Sequence, residues 1–220
     1  MKLHIYIFRH GETYWNKNKI FTGWRNSNLT PNGVKQARTV AKRLKNKKFQ
    51  VAIHTRLTRS KDTLKEVLKY HPECKKSIKD DRIIERRYGK LQGKTHKAFI
   101  DQEGKDSYKT LLYWHKIEHL AGKDRKKFIK DIGKAEFDVI HRSYKVPPPG
   151  GESVKMVEKR VAPFIKDLIK MMKKEKVNVA ISAHNNSMRP FRRYFEKLTV
   201  KEMMKLENPW DNYFEYTIDV

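Results

Sequence analysis

The chain has 220 residues, a formal net charge of +26 at pH 7 and a single cysteine. The length suits one α/β domain, and 38% hydrophobic content excludes a globally disordered chain. One cysteine excludes an internal disulfide, and no leader or membrane-length apolar stretch is evident, so we expect a cytoplasmic protein. Lysine and arginine are spread along the whole chain, which favours small anionic substrates over a specific nucleic-acid or membrane partner.

The first predicted element is an apolar strand, residues 3–8, that ends at Arg9-His10-Gly11. Open α/β folds bind ligands at the carboxyl ends of their strands. A neutral imidazole at such a place can accept a phosphoryl group, and a neighbouring guanidinium can hold its oxygens. We expect Gly11 to let the backbone approach the phosphate closely.

The rest of the pattern alternates strands and helices. Helices are predicted over about 30–47, 57–70, much of 94–142 with breaks at Gly104, Gly122 and Gly133, 152–174 and 184–198; strands over 50–54, 82–84, 177–182 and 213–218. A rigid loop, Pro147–Gly151, precedes the long helix at 152. This order predicts one three-layer α/β/α domain, residues 1–220, with a mostly parallel central sheet.

Two predicted strands end in histidines, His10 and His184, and two further polar residues complete a possible site. Arg59 lies near the start of the helix after the second strand, and Glu85 begins the Glu-Arg-Arg-Tyr-Gly segment. Phosphohistidine chemistry needs a nucleophilic histidine, fixed positive charge and a carboxylic acid to exchange a proton. Because arginines and histidines supply the charge, we expect no metal.

Seven segments of the chain resemble the cofactor-dependent phosphoglycerate mutases of the histidine phosphatase superfamily. They are Arg9–Thr13 with Trp15-Asn16, Phe21–Trp24, Leu57–Arg59, Glu85–Gly93, Arg142–Tyr144, Pro147–Ser153 and His184–Arg189. Their order and spacing hold over nearly the whole chain. The Arg-His-Gly signal indicates only the superfamily, whereas Phe-Thr-Gly-Trp and Tyr-Gly-x-Leu-Gln-Gly are more particular to the mutases.

The resemblance implies roles for these residues. His10 is then the phosphorylated nucleophile, Glu85 the general acid and base, and Arg9, Arg59 and His184 the rest of the phosphate pocket. Substrate contacts are implied for Asn16, Thr22, Gly23, Tyr88, His141, Arg142, Asn185 and Asn186. The implied reaction interconverts 3-phosphoglycerate and 2-phosphoglycerate, primed by 2,3-bisphosphoglycerate. Both a monomer and a homo-oligomer fit.

Three features depart from the family pattern. His141 stands where the family has the first arginine of a pair, and it is cationic only when protonated. Asn185 replaces the glycine after the second histidine and adds bulk where a phosphate oxygen approaches. The chain stops at Val220, without the tail that usually closes over the mutase site, which favours access of water to the phosphohistidine.

The family's Gly-x-x-Lys substrate lysine is also displaced. Lys94 and Lys97 follow Gly93, while another segment that resembles the same pattern ends in Arg125. We therefore predict a helical insertion over residues 94–122 near the mouth of the site. Arg125 is the preferred substrate cation, with Lys94 and Lys97 as rivals.

Alternatives to a mutase stay open. A histidine-phosphatase-type phosphomonoester hydrolase on the same fold is the first, and a non-catalytic polyanion-binding protein is the second. His115, Glu118 and His119 spell an arrangement found in some zinc peptidases. We expect a solvated helix face there, because no third ligand is evident.

Overall fold

A computed structural model describes the backbone of residues 1–220 and every side chain except that of Arg142. Its five strands are β1 Lys2–Arg9, β2 Val51–His54, β3 Lys76–Lys79, β4 Val179–Ala183 and β5 Tyr213–Asp219. They form one sheet in the order β3-β2-β4-β1-β5, in which only β5 runs antiparallel to its neighbour. The predicted three-layer architecture with a mostly parallel sheet is confirmed.

Eight helices accompany the sheet. They are α1 Tyr14–Lys17, α2 Pro31–Leu44, α3 Thr58–Leu68, α4 His96–Tyr113, α5 Gly122–Arg142, α6 Val154–Glu175, α7 Asn185–Glu196 and α8 Val200–Lys205. Short 3₁₀ turns occupy Asp81–Ile83 and Gly89–Leu91. None of these helices combines the length and the apolar character that a membrane crossing requires.

Alternation along the buried strands produces the two helical layers. Ile5 and Ile7 of β1 pack in the same apolar cluster as the inner faces of α6 and α7. Tyr6 and Phe8 point to the other face and pack with α2 and α3. Successive side chains of a strand point to opposite faces, so one continuous apolar strand buries both helical layers.

The edge strand β3 lies elsewhere than the sequence predicts. Residues 82–84 form the end of a 3₁₀ turn, whereas Lys76–Lys79 pair with β2 in parallel. Ile83 and Ile84 are buried because they pack beneath this turn, and they are not part of a strand. A Lys-Ser-Ile-Lys strand at a sheet edge carries too little apolar character for its pattern to be visible.

Two of the three glycines predicted to interrupt residues 94–142 lie inside helices instead. Gly104 in α4 and Gly133 in α5 mark the crossing of an antiparallel helix pair. A Cβ at Gly104 would lie 2.0 Å from the Ile129 carbonyl oxygen, and one at Gly133 would lie 2.1 Å from that of Ile100. The glycines therefore permit close backbone contact. Only Gly122 marks a boundary, the start of α5.

Candidate active site

The sheet brings the two predicted histidines together. β1 and β4 are parallel neighbours, with Arg9 opposite Ala183, and the His10 amide donates to the Ala183 carbonyl at 3.1 Å. The next residue on each strand end is a histidine, and the ring centroids of His10 and His184 are 5.0 Å apart. Both side chains are buried. Register alone therefore creates the pair at the carboxyl edge of the sheet.

One ring nitrogen of His10 is committed to the backbone. Its Nδ1 lies 2.8 Å from the Gly11 carbonyl oxygen, which can only accept, so Nδ1 carries the proton and Nε2 keeps its lone pair. Burial, and then the charges of Arg59 and Arg9, lower the pKa of His10 well below its usual value. The imidazole is consequently neutral at physiological pH, and Nε2 is the nucleophilic atom.

Arg59 places positive charge directly at that atom. Its Nε lies 3.2 Å from Nε2 of His10, and its two terminal nitrogens donate to the carbonyls of Gly23 at 2.7 Å and Arg25 at 2.9 Å. The guanidinium is almost fully buried, and burial lowers its pKa to about 10, so the group stays charged at neutral pH. A bound phosphoryl group would replace the weak contact to His10 with a charge-assisted one.

His184 is oriented by the neighbouring strand. Its Nε2 lies 2.9 Å from the Thr55 hydroxyl, and Thr55 directly follows β2. Burial, followed by the charge of Arg59, lowers the pKa of His184 well below its usual value. The ring is thus a second neutral imidazole that becomes a good hydrogen-bond partner once an anion lies beside it.

Glu85 reaches the same place from the segment after β3. Its Oε1 accepts the backbone N–H of Arg86 at 2.7 Å and of Asn186 at 3.2 Å. Its own carbonyl accepts from the Trp24 indole at 2.7 Å and from Arg160 at 3.0 Å. These contacts fix both the backbone and one carboxylate oxygen, so that Oε2 is the atom suited to exchange a proton with a ligand.

Arg9 forms another wall of the site. Its guanidinium lies over the Trp210 ring, 4.4 Å from the centroid, and Nη1 donates to the Asn208 carbonyl at 3.1 Å. Its Nε is buried without a hydrogen-bond partner among the described side chains and backbone. Burial lowers its pKa to about 10. An unpaired buried donor of this kind is what a bound anion would satisfy.

A cavity of about 250 Å³ opens onto these groups. Four of the five catalytic candidates line it, and His184 lies behind them, fully buried against the His10 ring. The lining also includes seven of the predicted substrate residues: Asn16, Thr22, Gly23, Tyr88, His141, Asn185 and Asn186. The Arg142 side chain, for which a substrate contact is predicted, lies outside the described residues.

The predicted substrate cation is not brought to the cavity. Arg125 lies in the first turn of α5, with its guanidinium over the Tyr108 ring at 4.8 Å. The cavity is reached only at His141, sixteen residues further along the same helix, or about 24 Å at 1.5 Å per residue. Lys94 and Lys97 are also absent from the lining. The prediction from spacing was wrong because it compared segments of similar sequence and took no account of the direction in which α5 runs.

Six lining residues received no role from the sequence analysis: Trp15, Lys19, Ile20, Phe21, His96 and Trp210. His96 is the third residue after Gly93, the position of the lysine in the Gly-x-x-Lys pattern. Direct counting from Gly93 would have found it. Lys19 has a left-handed backbone, φ 52°, in a turn whose shape no simple motif announces. Trp210 comes from a distant, irregular segment.

Gly11 has a different purpose from the predicted one. A Cβ there would lie 2.2 Å from the carbonyl oxygen of Gly33, and the Gly11 amide donates to the buried Thr63 hydroxyl at 3.0 Å. The glycine lets the end of β1 pack against the start of α2. Its backbone N–H is not available to a phosphate.

Ligating atoms of His10, Glu85 and His184 lie within 4.8 Å of one another, the only such group among the described side chains. The Arg59 guanidinium points into the same space, and a fixed cation beside His10 favours an anion over a metal ion. His115, Glu118 and His119 lie in the turn between α4 and α5 rather than on a helix, and His115 contacts Glu118 in solvent.

The fold and the site define an α/β protein with a buried, positively charged pocket at the carboxyl edge of its sheet. The sequence profile described as histidine phosphatase superfamily (branch 1) matches residues 5–131 and 116–217, and the chain belongs to that superfamily.

Individual relatives in sequence and solved structures of similar fold add to this comparison. A 2,3-bisphosphoglycerate-dependent phosphoglycerate mutase from Methanococcus vannielii is 35% identical, over 98% of this chain and 90% of its own. The fold is similar to a phosphoglycerate mutase from Bacillus anthracis, with a TM-score of 0.67 at 20% identity, covering 99% and 88% of the two chains. It is comparably similar to a mycobacterial glucosyl-3-phosphoglycerate phosphatase, with a TM-score of 0.69 at 20% identity, covering 99% and 91%.

Proposed function

We propose that the protein is a phosphoglycerate mutase that interconverts 3-phosphoglycerate and 2-phosphoglycerate through phosphorylated His10. The observation that carries the proposal is the state of the His10 ring. Its Nδ1 is bound to the Gly11 carbonyl, and Nε2 faces the Arg59 guanidinium at the inner end of a positively charged cavity. The mutase relative at 35% identity supports the same assignment.

In the proposed reaction, Nε2 of His10 attacks the phosphorus of a phosphate ester. The N–P bond forms as the ester P–O bond breaks, and Glu85 gives its proton to the leaving oxygen. Arg9, Arg59 and His184 stabilise the charge on the transferring group. In the reverse step Glu85 takes a proton from the free hydroxyl of 3-phosphoglycerate, whose oxygen accepts the phosphoryl group from His10 to give 2,3-bisphosphoglycerate. Return of the phosphoryl group on the 3-oxygen to His10 then leaves 2-phosphoglycerate and completes the isomerisation.

The cavity also suits the primer 2,3-bisphosphoglycerate, which would supply the phosphoryl group that charges His10. The unpaired Nε of Arg9 and the Nε of Arg59, which faces His10, would hold its first phosphate. The second phosphate needs positive charge away from the nucleophile. Lys19 and His141 line that more distant wall. The residues present therefore fit a ligand with two anionic groups.

The experiment is to incubate the protein with 3-phosphoglycerate, with and without 2,3-bisphosphoglycerate, and to follow the products by ³¹P NMR. Formation of 2-phosphoglycerate that depends on the primer supports the mutase. The H10A variant is the control and should form none. A wild-type protein that produces no 2-phosphoglycerate contradicts the proposal. Unchanged RNA or heparin binding by an inactive protein would favour the polyanion-binding alternative.

A phosphomonoester hydrolase on the same site is the second candidate. It is favoured by the histidines at the outer wall, His96 and His141, because imidazoles in their neutral form hold a glycerate product more weakly than fixed cations do. A product that leaves early exposes phospho-His10 to water. Release of inorganic phosphate without the isomer in the same ³¹P experiment would support this candidate.

A further inference from the structure

The outer end of the cavity is an aromatic wall that holds two histidines. The rings of His96 and His141 are 5.6 Å apart between centroids. Phe137 stacks on His141 at 5.0 Å with an interplanar angle of 12°, and Phe21 lies 4.5 Å from His96. Both histidines also line the catalytic cavity. We refer to His96 and His141 as the histidine pair.

Backbone contacts hold the pair in place from the two ends of the α4–α5 hairpin. His96 is the first residue of α4, and its amide donates to the Lys19 carbonyl at 2.8 Å. His141 is the penultimate residue of α5, and its carbonyl accepts from Arg86 at 3.3 Å. The negative end of a helix dipole favours a cation at the His141 position. The pair is thus a built feature of the hairpin base.

The charged groups around the histidine pair are mostly cations, as an anion site requires. Lys19 lines the cavity beside the pair, and burial followed by the Lys19 charge lowers the pKa of His96. His96 is therefore neutral at neutral pH while no anion is bound. Other titratable or charged groups on this cavity and on the adjoining cavity that His141 shares are Arg9, His10, Arg59, Glu85, Tyr88, Arg189, Lys205 and Glu207, and Asp138 lies one turn before His141 on α5.

We propose that the histidine pair is a proton-dependent clamp for the second anionic group of the substrate, the carboxylate of phosphoglycerate, and that it determines substrate affinity rather than phosphoryl transfer. This inference rests on the proposed function, because it needs a substrate with a carboxylate as well as a phosphate. A bound carboxylate favours the protonated form of each imidazole. By linkage, ligand binding takes up protons and tightens as the pH falls.

The test is equilibrium binding of 3-phosphoglycerate measured by calorimetry at several pH values. For the wild type we expect the dissociation constant to rise about ten-fold between about pH 5.5 and about pH 7.5. The double variant H96K/H141R carries fixed charge at both positions. It should bind 3-phosphoglycerate tightly, with an affinity that no longer depends on protonation at these positions. The double variant H96Q/H141Q should bind weakly at both pH values. Proton uptake on binding beyond the contribution of the phosphate, measured in buffers of different ionisation enthalpy, should occur in the wild type and in neither double variant.

Glycerol 3-phosphate is the matched ligand, since it keeps the phosphate and lacks the carboxylate. The phosphate group itself titrates at about pH 6. The pH dependence that it contributes is therefore measured with glycerol 3-phosphate and subtracted. H119Q is the matched protein control, because His119 is an exposed histidine in the turn of the same hairpin. It should behave as the wild type does with both ligands.

The outcomes separate this inference from the proposed function. Equal pH dependence in the wild type and in H96K/H141R overturns the clamp, as does an equal effect of the variants on glycerol 3-phosphate. Mutase turnover by the same preparations tests the function independently. A protein that shows proton-linked binding of 3-phosphoglycerate but no isomerisation retains the clamp and loses the proposed function.

Discussion

The inner and outer ends of the cavity are built from different parts of the fold. The inner end, with His10, His184 and Arg59, lies where buried strands and the first turn of α3 meet, and each side chain has a fixed polar contact. The outer end, with His96 and His141, comes from the base of a helical hairpin. Its side chains pack by their aromatic faces and carry charge that depends on pH.

The difference shows how one cavity can separate chemistry from affinity. Groups that must hold a reacting atom in place benefit from the rigid sheet edge, because small displacements cost rate steeply. Groups that only attract the remote part of a substrate tolerate looser packing. Changes at the inner end should therefore alter the rate of phosphoryl transfer, and changes at the outer end should alter substrate affinity.

The largest effect is expected at the nucleophile. H10A should abolish the acid-labile, base-stable phosphate on the protein and lower kcat by at least about 10³-fold, because the second imidazole at the inner end, His184, has its Nε2 engaged by the Thr55 hydroxyl. Labelling with ³²P-bisphosphoglycerate and steady-state assays measure both. H119A, at an exposed histidine far along the chain, is the control. Residual labelling of H10A near the wild-type level would show that the inner end was assigned incorrectly.

Arg59 should give the next largest effect. R59K keeps a charge but loses the planar fork, so we expect kcat to fall about 10²-fold with a smaller change in KM. The Gly23 and Arg25 carbonyls also lose their partner, which should lower the free energy of unfolding by about 1–3 kcal/mol. R56K, an exposed arginine nearby, should change neither value. An effect of R59K on KM alone would break the division between the two ends.

A change inside the α4–α5 hairpin should raise KM and leave kcat almost unchanged. G133A places a methyl group against the Ile100 carbonyl, and we expect overpacking of about 1–3 kcal/mol at the α4–α5 crossing. The hairpin base should then shift, raising KM several-fold while kcat changes less than about two-fold. Hydrogen exchange over residues 96–142 reports the loosened pair, and K130A on the exposed face of α5 is the control. A large fall in kcat would contradict the comparison.

The smallest effect concerns pH at the inner end. Because the pKa values of His10 and His184 are lowered, both rings stay neutral from about pH 8 down through about pH 6.5. The rate of His10 phosphorylation at saturating primer should change less than about two-fold over that range and fall only at lower pH. The neutral histidines stabilise the folded protein at pH values above their pKa in the unfolded chain, which is about 6.5. This stability is lost as the pH falls. Parallel unfolding curves check the second statement; a rate that halves already between about pH 8 and about pH 7 would refute the first.

Much of this site could be predicted from the sequence because it follows strand ends. Apolar runs locate β1 and β4, and parallel pairing then forces His10 and His184 together whatever the loops do. The outer end could not be predicted in the same way. Its members come from a turn, from the two ends of a helical hairpin and from an irregular segment, so sequence distance says little about their separation in space. The wrong placement of Arg125 shows that sequence spacing is an unreliable guide in this part of the chain.

The sequence by itself determined the layered fold, the strand that ends in Arg9 and His10, and the chemical character of the inner end, because periodic burial and strand order follow from local hydrophobicity. Only the tertiary structure decided which histidine nitrogen is free, why Gly11 is a glycine, and which cations reach the outer end. Those features depend on contacts between residues far apart in the chain. Such contacts exist only after the sheet has formed and the hairpin has packed against the segments that carry Phe21 and Tyr88.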